Sequence, residues 1–356
     1  NFTGGAFSNA ATLVILGGST PQTVTSAGQR FHRLTLTNTA ASVTFADAAQ
    51  ADYYRSESAT VVYQGDFEAG DFRVYSDGGA VTQTFAAGAT YAIQELYLMG
   101  GSGRTVFLRS SGTAWNLNVS KLAYARCVDA AYSDARGGIT VRPIASVDSG
   151  SNSNWDFGAA WSVWTGASSS DFGTAANWSP AAVPGPTNHV LVDDPDALEV
   201  SASASIRSLA VGGSTASVMT VSAALTVAED IHVARYGRLL LNTPGMAAGN
   251  DVAVLEGGVV SHSGNTTAED YKVDLAVGRH LTVDEGGRVD VSAMGYWRQC
   301  GPGAPTRYRT GASHGGLGGR TSNGDSGLPG PTYGSIIAPT NNGSGGGFYA
   351  GEDDGG

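Results

Sequence analysis

An internal repeat constrains the fold of this chain more than any other feature of its sequence. Residues 224–245, ALTVAEDIHVARYGRLLLNTPG, align without gaps on residues 274–295, DLAVGRHLTVDEGGRVDVSAMG, at an offset of 50 residues. A third segment, 251–263, repeats the second half of the pattern soon after its first occurrence. Apolar and polar residues alternate in all three segments and glycines mark the corners, as in short β-strands. A unit of this length predicts the turns of a parallel β-helix.

The repeat also predicts which side chains face the interior. Every second side chain of a strand points to the same face, so one alternating apolar set must line the core. One turn cannot bury this set alone, whereas stacked turns build one continuous core. The predicted inward residues are Leu225, Val227, Ile231, Val233, Leu239 and Leu241, followed further along the coil by Leu275, Val277, Leu281, Val283, Val289 and Val291. The alternative is a β-sandwich in which the similarity is coincidental.

Like the repeat, the rest of the chain shows no helical periodicity in its apolar residues. Before the repeat, alternating runs such as TLVIL (12–16), RLTLTN (33–38) and TVVYQG (60–65) are separated by glycine, serine, asparagine and aspartate turns. This spacing suits either a sandwich or a coiled solenoid. The sequence therefore predicts an all-β protein. Its expected core is a right-handed parallel β-helix, or β-solenoid, preceded by a strand-rich repeat module and followed by a glycine-rich segment.

A tryptophan- and proline-rich stretch separates the two strand-rich regions. Trp155, Trp161, Trp164 and Trp178 lie close together in the sequence, and three prolines follow at once. Glycine and proline at this density exclude regular strands, so the domain boundary is placed here. The tryptophans could stack on sugars, but a cap over the first turn of the solenoid is favoured, because an open turn exposes unpaired strand edges. The predicted domains are a repeat module at 1–157, a hinge or cap at 158–195, the β-helix at 196–300 and a glycine-rich segment at 301–356.

Composition restricts the classes of partner. The net charge of −11 argues against a nucleic-acid partner and against docking on an anionic membrane. No apolar run is long enough to span a bilayer, so no segment is expected to insert into one. Cys127 and Cys300 lack the spacing of a zinc site, and two separate thiols are favoured over a disulfide. The abundance of small polar residues is typical of extracellular β proteins.

Several segments resemble the repeats of large bacterial secreted surface proteins. Residues 17–45, GGSTPQTVTSAGQRFHRLTLTNTAASVTF, resemble one such repeat, and residues 85–120 are similar to the module that ends these arrays. Residues 164–185 are similar to the linker that leads into autotransporter-like β-helix passengers. The resemblance implies a structural, adhesive or matrix role at the bacterial cell surface, commonly without enzyme activity. It supplies no catalytic residues.

The stretch GASHGGLGG, residues 311–319, is the part of the chain that most resembles a catalytic motif. It matches the G-x-S-x-G nucleophile elbow around Ser313, and His314 begins a pattern similar to an oxyanion loop. An elbow needs a strand before the serine and a helix after it, but both flanks are rich in glycine and proline. No histidine follows His314 in the sequence, although this class of hydrolase needs one. The stretch is therefore predicted to be a glycine loop.

Acidic residues form two further candidate sites. Two stretches, VDDPDALE at 192–199 and GEDDGG at 351–356, bring together carboxylates that Ca²⁺ could bind, but neither spacing matches a calcium loop. The candidate ligands are Asp193, Asp194 and Asp196. Solvated acidic turns are favoured, and no cofactor is predicted.

The second candidate is an acidic set in the repeat. Asp274, Asp284 and Asp290, with Arg279 and Arg288 beside them, occupy outward places where β-helix enzymes that degrade polysaccharides carry carboxylates. Ordinary surface charge is favoured, because the equivalent residues of the earlier segment are Ala224, Ala234 and Leu240.

Together these observations predict a non-catalytic extracellular protein with a structural or adhesive role. We expect a segment of a bacterial surface fibre, sheath or adhesin that self-associates or contacts neighbouring surface proteins. The alternative is a carbohydrate-binding or polysaccharide-degrading protein on the same scaffold.

Overall fold

The computed structural model describes residues 12–57, 59–101, 103–158, 161–243, 245–306, 309–320, 328–338 and 340–347. These residues form mainly parallel β-sheets, with an antiparallel pair between Trp161–Trp164 and Trp178–Ser179. Their one helical element is a 3₁₀ turn at Ala175–Asn177. The chain divides into two compact units, residues 1–161 and 162–356. The predicted all-β solenoid is confirmed.

The described part of the first unit coils through fourteen strands, two in each turn. They are β1 (Leu13–Leu16), β2 (Gln22–Val24), β3 (Arg30–Leu36), β4 (Val43–Phe45), β5 (Ala49–Glu57), β6 (Val61–Tyr63), β7 (Phe67–Tyr75), β8 (Val81–Phe85), β9 (Thr90–Met99), β10 (Val106–Ser110), β11 (Trp115–Arg126), β12 (Val128–Ala130), β13 (Ser133–Asp134) and β14 (Val147–Asp148). The odd-numbered strands form one sheet and the even-numbered strands another, with parallel pairing between successive turns. This module is therefore a coil and not a sandwich.

The turns of the first unit vary in length. A short turn separates Val43 from its partner Val61, whereas a much longer one separates Glu95 from its partner Leu122. Aromatic side chains stack inside this coil. The ring of Tyr63 lies 5.4 Å from that of Phe45 and 5.2 Å from that of Phe85, and all three are nearly parallel. The interior is thus a ladder of side chains contributed by successive turns.

The second unit has three strands in each turn. Its described strands are β15 (Trp161–Trp164), which begins at the boundary, β16 (Trp178–Ser179), β17 (His189–Val192), β18 (Leu198–Val200), β19 (Ala204–Ile206), β20 (Ser208–Val211), β21 (Ser217–Val221), β22 (Leu225–Val227), β23 (Ile231–Val233), β24 (Gly237–Leu241), β25 (Met246–Ala248), β26 (Val252–Val254), β27 (Val259–Ser261), β28 (Leu275–Val277), β29 (Leu281–Val283) and β30 (Arg288–Val289). From β17 onwards, parallel sheets run through β17-β20-β23-β26-β29, β18-β21-β24-β27-β30 and β19-β22-β25-β28.

The registers of these sheets explain the repeat. Leu225 pairs with Met246 of the next turn, and Met246 pairs in the same way with Leu275. The offset between the two aligned segments therefore spans two turns, and residues 262–274 lengthen the second of them. The six predicted inward residues from Leu225 to Leu241 are all fully buried.

The final turn differs from the expectation. Leu275 and Val277 are only partly buried. Leu281, Val283, Val289 and Val291, predicted to lie in the core, are 52%, 45%, 42% and 45% exposed. The reason is that none of the described residues forms a further turn over them, so the inward face of this turn lacks a neighbour.

The segment predicted as a hinge, 158–195, is mostly the beginning of the second unit. It contains β15, β16 and β17, so the expectation that glycine and proline exclude strands from it is wrong. Pro180, Pro184 and Pro186 lie in the loop between β16 and β17, and Pro195 follows β17, so the strands themselves contain no proline. The first turn of the three-sheet solenoid begins at His189, earlier than the predicted boundary at 196.

Candidate functional site

Two of the four clustered tryptophans lie in the core at the beginning of the second unit. Trp164 and Trp178 are 1% and 3% exposed and meet edge to face, with 5.1 Å between ring centroids. Phe172 lies against Trp178 at the same distance. The Trp164 indole donates to the Asp196 carbonyl at 2.9 Å, and the Trp178 indole donates to the Phe172 carbonyl at 2.9 Å. Because their faces are covered, these two rings offer no surface for sugar stacking.

A buried asparagine shapes the loop that carries these rings. The Asn177 side-chain oxygen accepts hydrogen bonds from the backbone amides of Ser168 and Ser169, at 2.8 and 2.9 Å. Its amide nitrogen donates to the Ser169 hydroxyl and to the Asp171 carbonyl. The side chain thus satisfies four polar groups of the loop. Sequence reasoning missed Asn177, since no spacing pattern marks such a contact.

The other two tryptophans are only partly buried. Trp155 belongs to the first unit, where its ring stacks on Phe157 with 5.4 Å between centroids. Its indole donates to the Ser133 hydroxyl at 3.0 Å. Trp161 begins β15. Trp155 therefore packs on the core of the first unit, whereas Trp164 and Trp178 belong to the core of the second.

The candidate calcium ligands hold a corner of the solenoid. The Asp193 carboxylate accepts hydrogen bonds from the amides of Ser214 and Thr215, each at 2.9 Å, and from the Ser214 hydroxyl at 2.6 Å. These contacts tie its corner to the next turn. Asp194 accepts from the Asp196 amide at 3.0 Å. Among the described residues, no group of three or more His, Cys, Asp or Glu side chains is placed to hold a metal ion. Residues 351–356 lie outside the described part of the chain.

The candidate nucleophile Ser313 is buried and engaged with backbone. Its hydroxyl donates to the Gly330 carbonyl at 2.5 Å and accepts from the Gly318 amide at 3.0 Å. The His314 ring packs edge-on against Tyr333, with 4.8 Å between centroids. Residues 309–320 form neither strand nor helix, so the strand-turn-helix geometry of a nucleophile elbow is missing around Ser313. The hydroxyl acts here as a bridge between loop segments.

Glycine allows those segments to touch. A Cβ at Gly330 would collide with the Gly303 carbonyl oxygen, and one at Gly318 with the Ala312 carbonyl oxygen. A Cβ at Gly345 would collide with the Trp297 carbonyl oxygen. The predicted glycine loop is thus a set of packed backbone segments. Cys300 lies at its beginning, and neither Cys300 nor Cys127 is part of a disulfide.

The candidate acids of the repeat flank strands of three different sheets. Asp274 precedes β28, Asp284 follows β29 and Asp290 follows β30. The Ser292 amide donates to the Asp290 carboxylate and lowers the pKa of that group, with Arg288 3.4 Å away. The predicted neighbour Arg279 forms an ion pair with another acid, Asp251, at 2.8 Å.

A polar ladder that sequence reasoning missed surrounds Asp251. Asp230 and Asp251 occupy the same corner in successive turns, and the Asp251 amide donates to the Asp230 carboxylate at 3.1 Å. The Arg279 guanidinium lies 2.8 Å from the Asp251 carboxylate and 3.8 Å from that of Asp230. His280 Nδ1 lies 3.1 Å from the Asp251 carboxylate. The repeat contained the signal, since aligning segment 251–263 on its first occurrence places Asp251 on Asp230.

His232 lies on the outward face of β23, two positions after Asp230. It is in register with Ala210 on one side and Ala253 on the other, and both alanines are buried. Burial lowers the pKa of the His232 imidazole, and the negative charges of Asp230 and Asp251 act in the opposite direction. The folded chain therefore favours a neutral imidazole.

Searches of protein-family models, curated proteins and solved structures find no match to the chain. In the part of the chain that the structure describes, no helix is long and apolar enough to cross a membrane.

Proposed function

We propose that the protein is a non-catalytic structural or adhesive protein of the bacterial cell surface, a segment of a fibre, sheath or adhesin that self-associates. One observation carries the proposal: both units are parallel solenoids in which each turn stacks on the next in register. Stability in such a coil is a sum of contacts between neighbouring turns. The design suits a load-bearing or surface-displaying segment, because its lateral faces repeat from turn to turn.

The use of polar side chains supports this role. Asp193 fastens one corner to the next, Asn177 holds the loop at the beginning of the second unit, and Ser313 bridges glycine segments. Each of these groups directs hydrogen bonds to backbone. These side chains therefore stabilise the solenoid and the glycine-rich segment.

Electron microscopy of native cells tests the proposal. Antibodies raised against residues 1–356 should label filaments or a sheath at the cell surface, and a strain that lacks the gene should lose both the label and the labelled structures. A label confined to the cell interior, or surface structures unchanged in the deletion strain, would overturn the proposal.

A second candidate function, binding or degradation of a polysaccharide, is favoured by the polar ladder. Two outward carboxylates, Asp230 and Asp251, lie in successive turns with a guanidinium and an imidazole beside them. Paired carboxylates are the groups that glycoside chemistry uses.

A matched set of variants tests this second role. Asp251→Asn and Arg279→Ala should abolish glycan binding or turnover if the ladder is responsible. Arg207→Ala is the control, because Arg207 occupies the equivalent corner of an earlier turn and pairs with Glu229 at 3.0 Å. Equal behaviour of the three variants would exclude the ladder as the glycan site.

A further inference from the structure

The final turn of the second unit is open in all three sheets. Within the described residues, β28, β29 and β30 are each the last strand of their sheet. The inward side chains of earlier turns are fully buried, whereas Leu281 and Val283 of β29 are 52% and 45% exposed. An apolar surface bounded by three strand edges is a template for pairing with another chain.

The backbone amide and carbonyl groups of β29 that do not pair with β26 point towards the open edge. The His280 carbonyl accepts from the Val252 amide at 2.8 Å, and the Asp284 amide donates to the Val254 carbonyl at 2.9 Å. Both contacts join the strand to β26 on its inner side. Because backbone groups alternate in direction along a strand, the amide and carbonyl groups of Leu281 and Val283 point to the open edge.

The sequence of this edge suits antiparallel pairing with the same edge of a second copy. Residues 279–285 read Arg-His-Leu-Thr-Val-Asp-Glu, with an arginine and a histidine before the apolar pair and two acids after it. Antiparallel pairing centred on Thr282 places Leu281 opposite Val283 of a second copy. It also places two corner residues, Arg279 and His280, opposite Glu285 and Asp284 of the second copy, in addition to their contacts with Asp251 of their own chain. The pairing of Arg279 with Glu285 would join opposite charges, whereas parallel self-pairing would bring two Arg279 side chains together.

We propose that the open turn is a docking surface for a second copy of this chain, joined by antiparallel pairing of the two β29 strands about Thr282. The proposal deepens, and rests on, the self-association in the proposed function. A two-fold arrangement follows because the other end of the second unit is closed by Trp164 and Trp178, which leaves one open end in each copy of this unit.

A second copy supplies an apolar face of the same outline, and antiparallel pairing places an acid, Glu285, opposite Arg279.

Sedimentation of the full chain tests the docking surface. The wild type should show a dimer whose fraction rises with concentration. Val283→Lys should weaken that dimer by about tenfold or more, because it buries an unpaired charge in the contact. It should leave circular dichroism and Tm nearly unchanged, since Val283 is already exposed. Thr226→Lys, the same kind of change on the outward face of an earlier turn, should dimerise as the wild type does.

A cysteine placed at the two-fold axis tests the register. Thr282 would face its own copy across a non-hydrogen-bonded pair, with about 4.5 Å between Cα atoms, which suits a disulfide. Thr282→Cys should therefore form a covalent dimer on oxidation about tenfold faster than Thr226→Cys or the wild type, whose native thiols are the baseline.

Three results would overturn the proposal: a wild type that stays monomeric at its highest soluble concentration, a dimer insensitive to Val283→Lys, or a Thr282→Cys variant no faster than its controls. None of these bears on whether antibodies label surface structures on native cells, so failure of the docking surface and failure of the proposed structural role are separate outcomes.

Discussion

A short chain of hydrogen bonds crosses the core of the first unit at Tyr63. The Tyr63 hydroxyl lies 2.7 Å from the Tyr54 hydroxyl and donates to the Gln83 side-chain oxygen at 3.0 Å. The Gln83 amide then donates to the Ala59 carbonyl at 2.9 Å. Burial raises the pKa of both tyrosines, so each hydroxyl keeps its proton and can donate.

Removing the Tyr63 hydroxyl should destabilise the first unit. We expect Tyr63→Phe to lower the free energy of unfolding by about 1–3 kcal/mol, because it removes the donor to the buried Gln83 side-chain oxygen. Urea denaturation measures the change. Adding Gln83→Leu should cost less than the two single losses combined, as expected for groups in one network. Strict additivity would show that the two side chains act independently.

His232 should make the stability of the second unit depend on pH. A histidine of the unfolded chain titrates at about pH 6.5, whereas burial lowers the pKa of His232 in the folded chain. Between these two values the unfolded chain binds a proton that the folded chain does not. Stability is therefore fully present above about pH 6.5 and is lost as the pH falls towards the folded pKa.

Calorimetry across that pH range checks this expectation. His232→Gln should flatten the pH dependence of Tm. An unchanged slope in His232→Gln would show that another group dominates.

Among the elements, the glycine-rich segment depends on backbone contact more than on side chains. Gly330→Ala should loosen it, because the new Cβ would meet the Gly303 carbonyl oxygen. Overpacking of this kind costs about 1–3 kcal/mol, and limited proteolysis within 301–347 should become faster. Gly316→Ala is the matched control, since no atom lies within 4 Å of its new Cβ. Equal protease resistance of the two variants would contradict the packed arrangement.

The elements of the chain differ in how far the sequence predicts them. Residues 224–295 repeat at an offset that spans two turns, so their strands and inward side chains follow from alternation and alignment. In the first unit the turn from Val43 to Val61 is much shorter than the turn from Glu95 to Leu122, and no fixed period marks the coil. The packed glycines escape prediction for another reason: contact between backbones leaves no pattern of side chains.

The candidate sites also differ in how far the sequence predicts them. A cap formed by Trp164 and Trp178 is one of two interpretations of a tryptophan cluster, and only the packing of the rings distinguishes them. Asp230 and Asp251 become neighbours through the register, which brings together the same corner of successive turns. The exposure of Val283 follows from the absence of a further described turn, a property that a local pattern of apolar residues does not encode.

For the molecule as a whole, the two units have separate cores, and in each of them turns contact their neighbours in sequence order. In such an array the resistance of a turn to opening depends on its own contacts and on those of the turns beside it. A turn with neighbours on both sides should therefore open less often than a turn at an end.

Hydrogen exchange measured by mass spectrometry should reveal this gradient along one sheet of the second unit. Amides of β23, which has strands on both sides, should exchange slowest, whereas those of β29, the last strand of the same sheet, should exchange at least about tenfold faster. Hydrogen exchange should be measured at low protein concentration, where a dimer joined through β29 would dissociate. Uniform protection from β23 to β29 would mean that the unit opens only as a whole, and that the open turn is held as firmly as the interior.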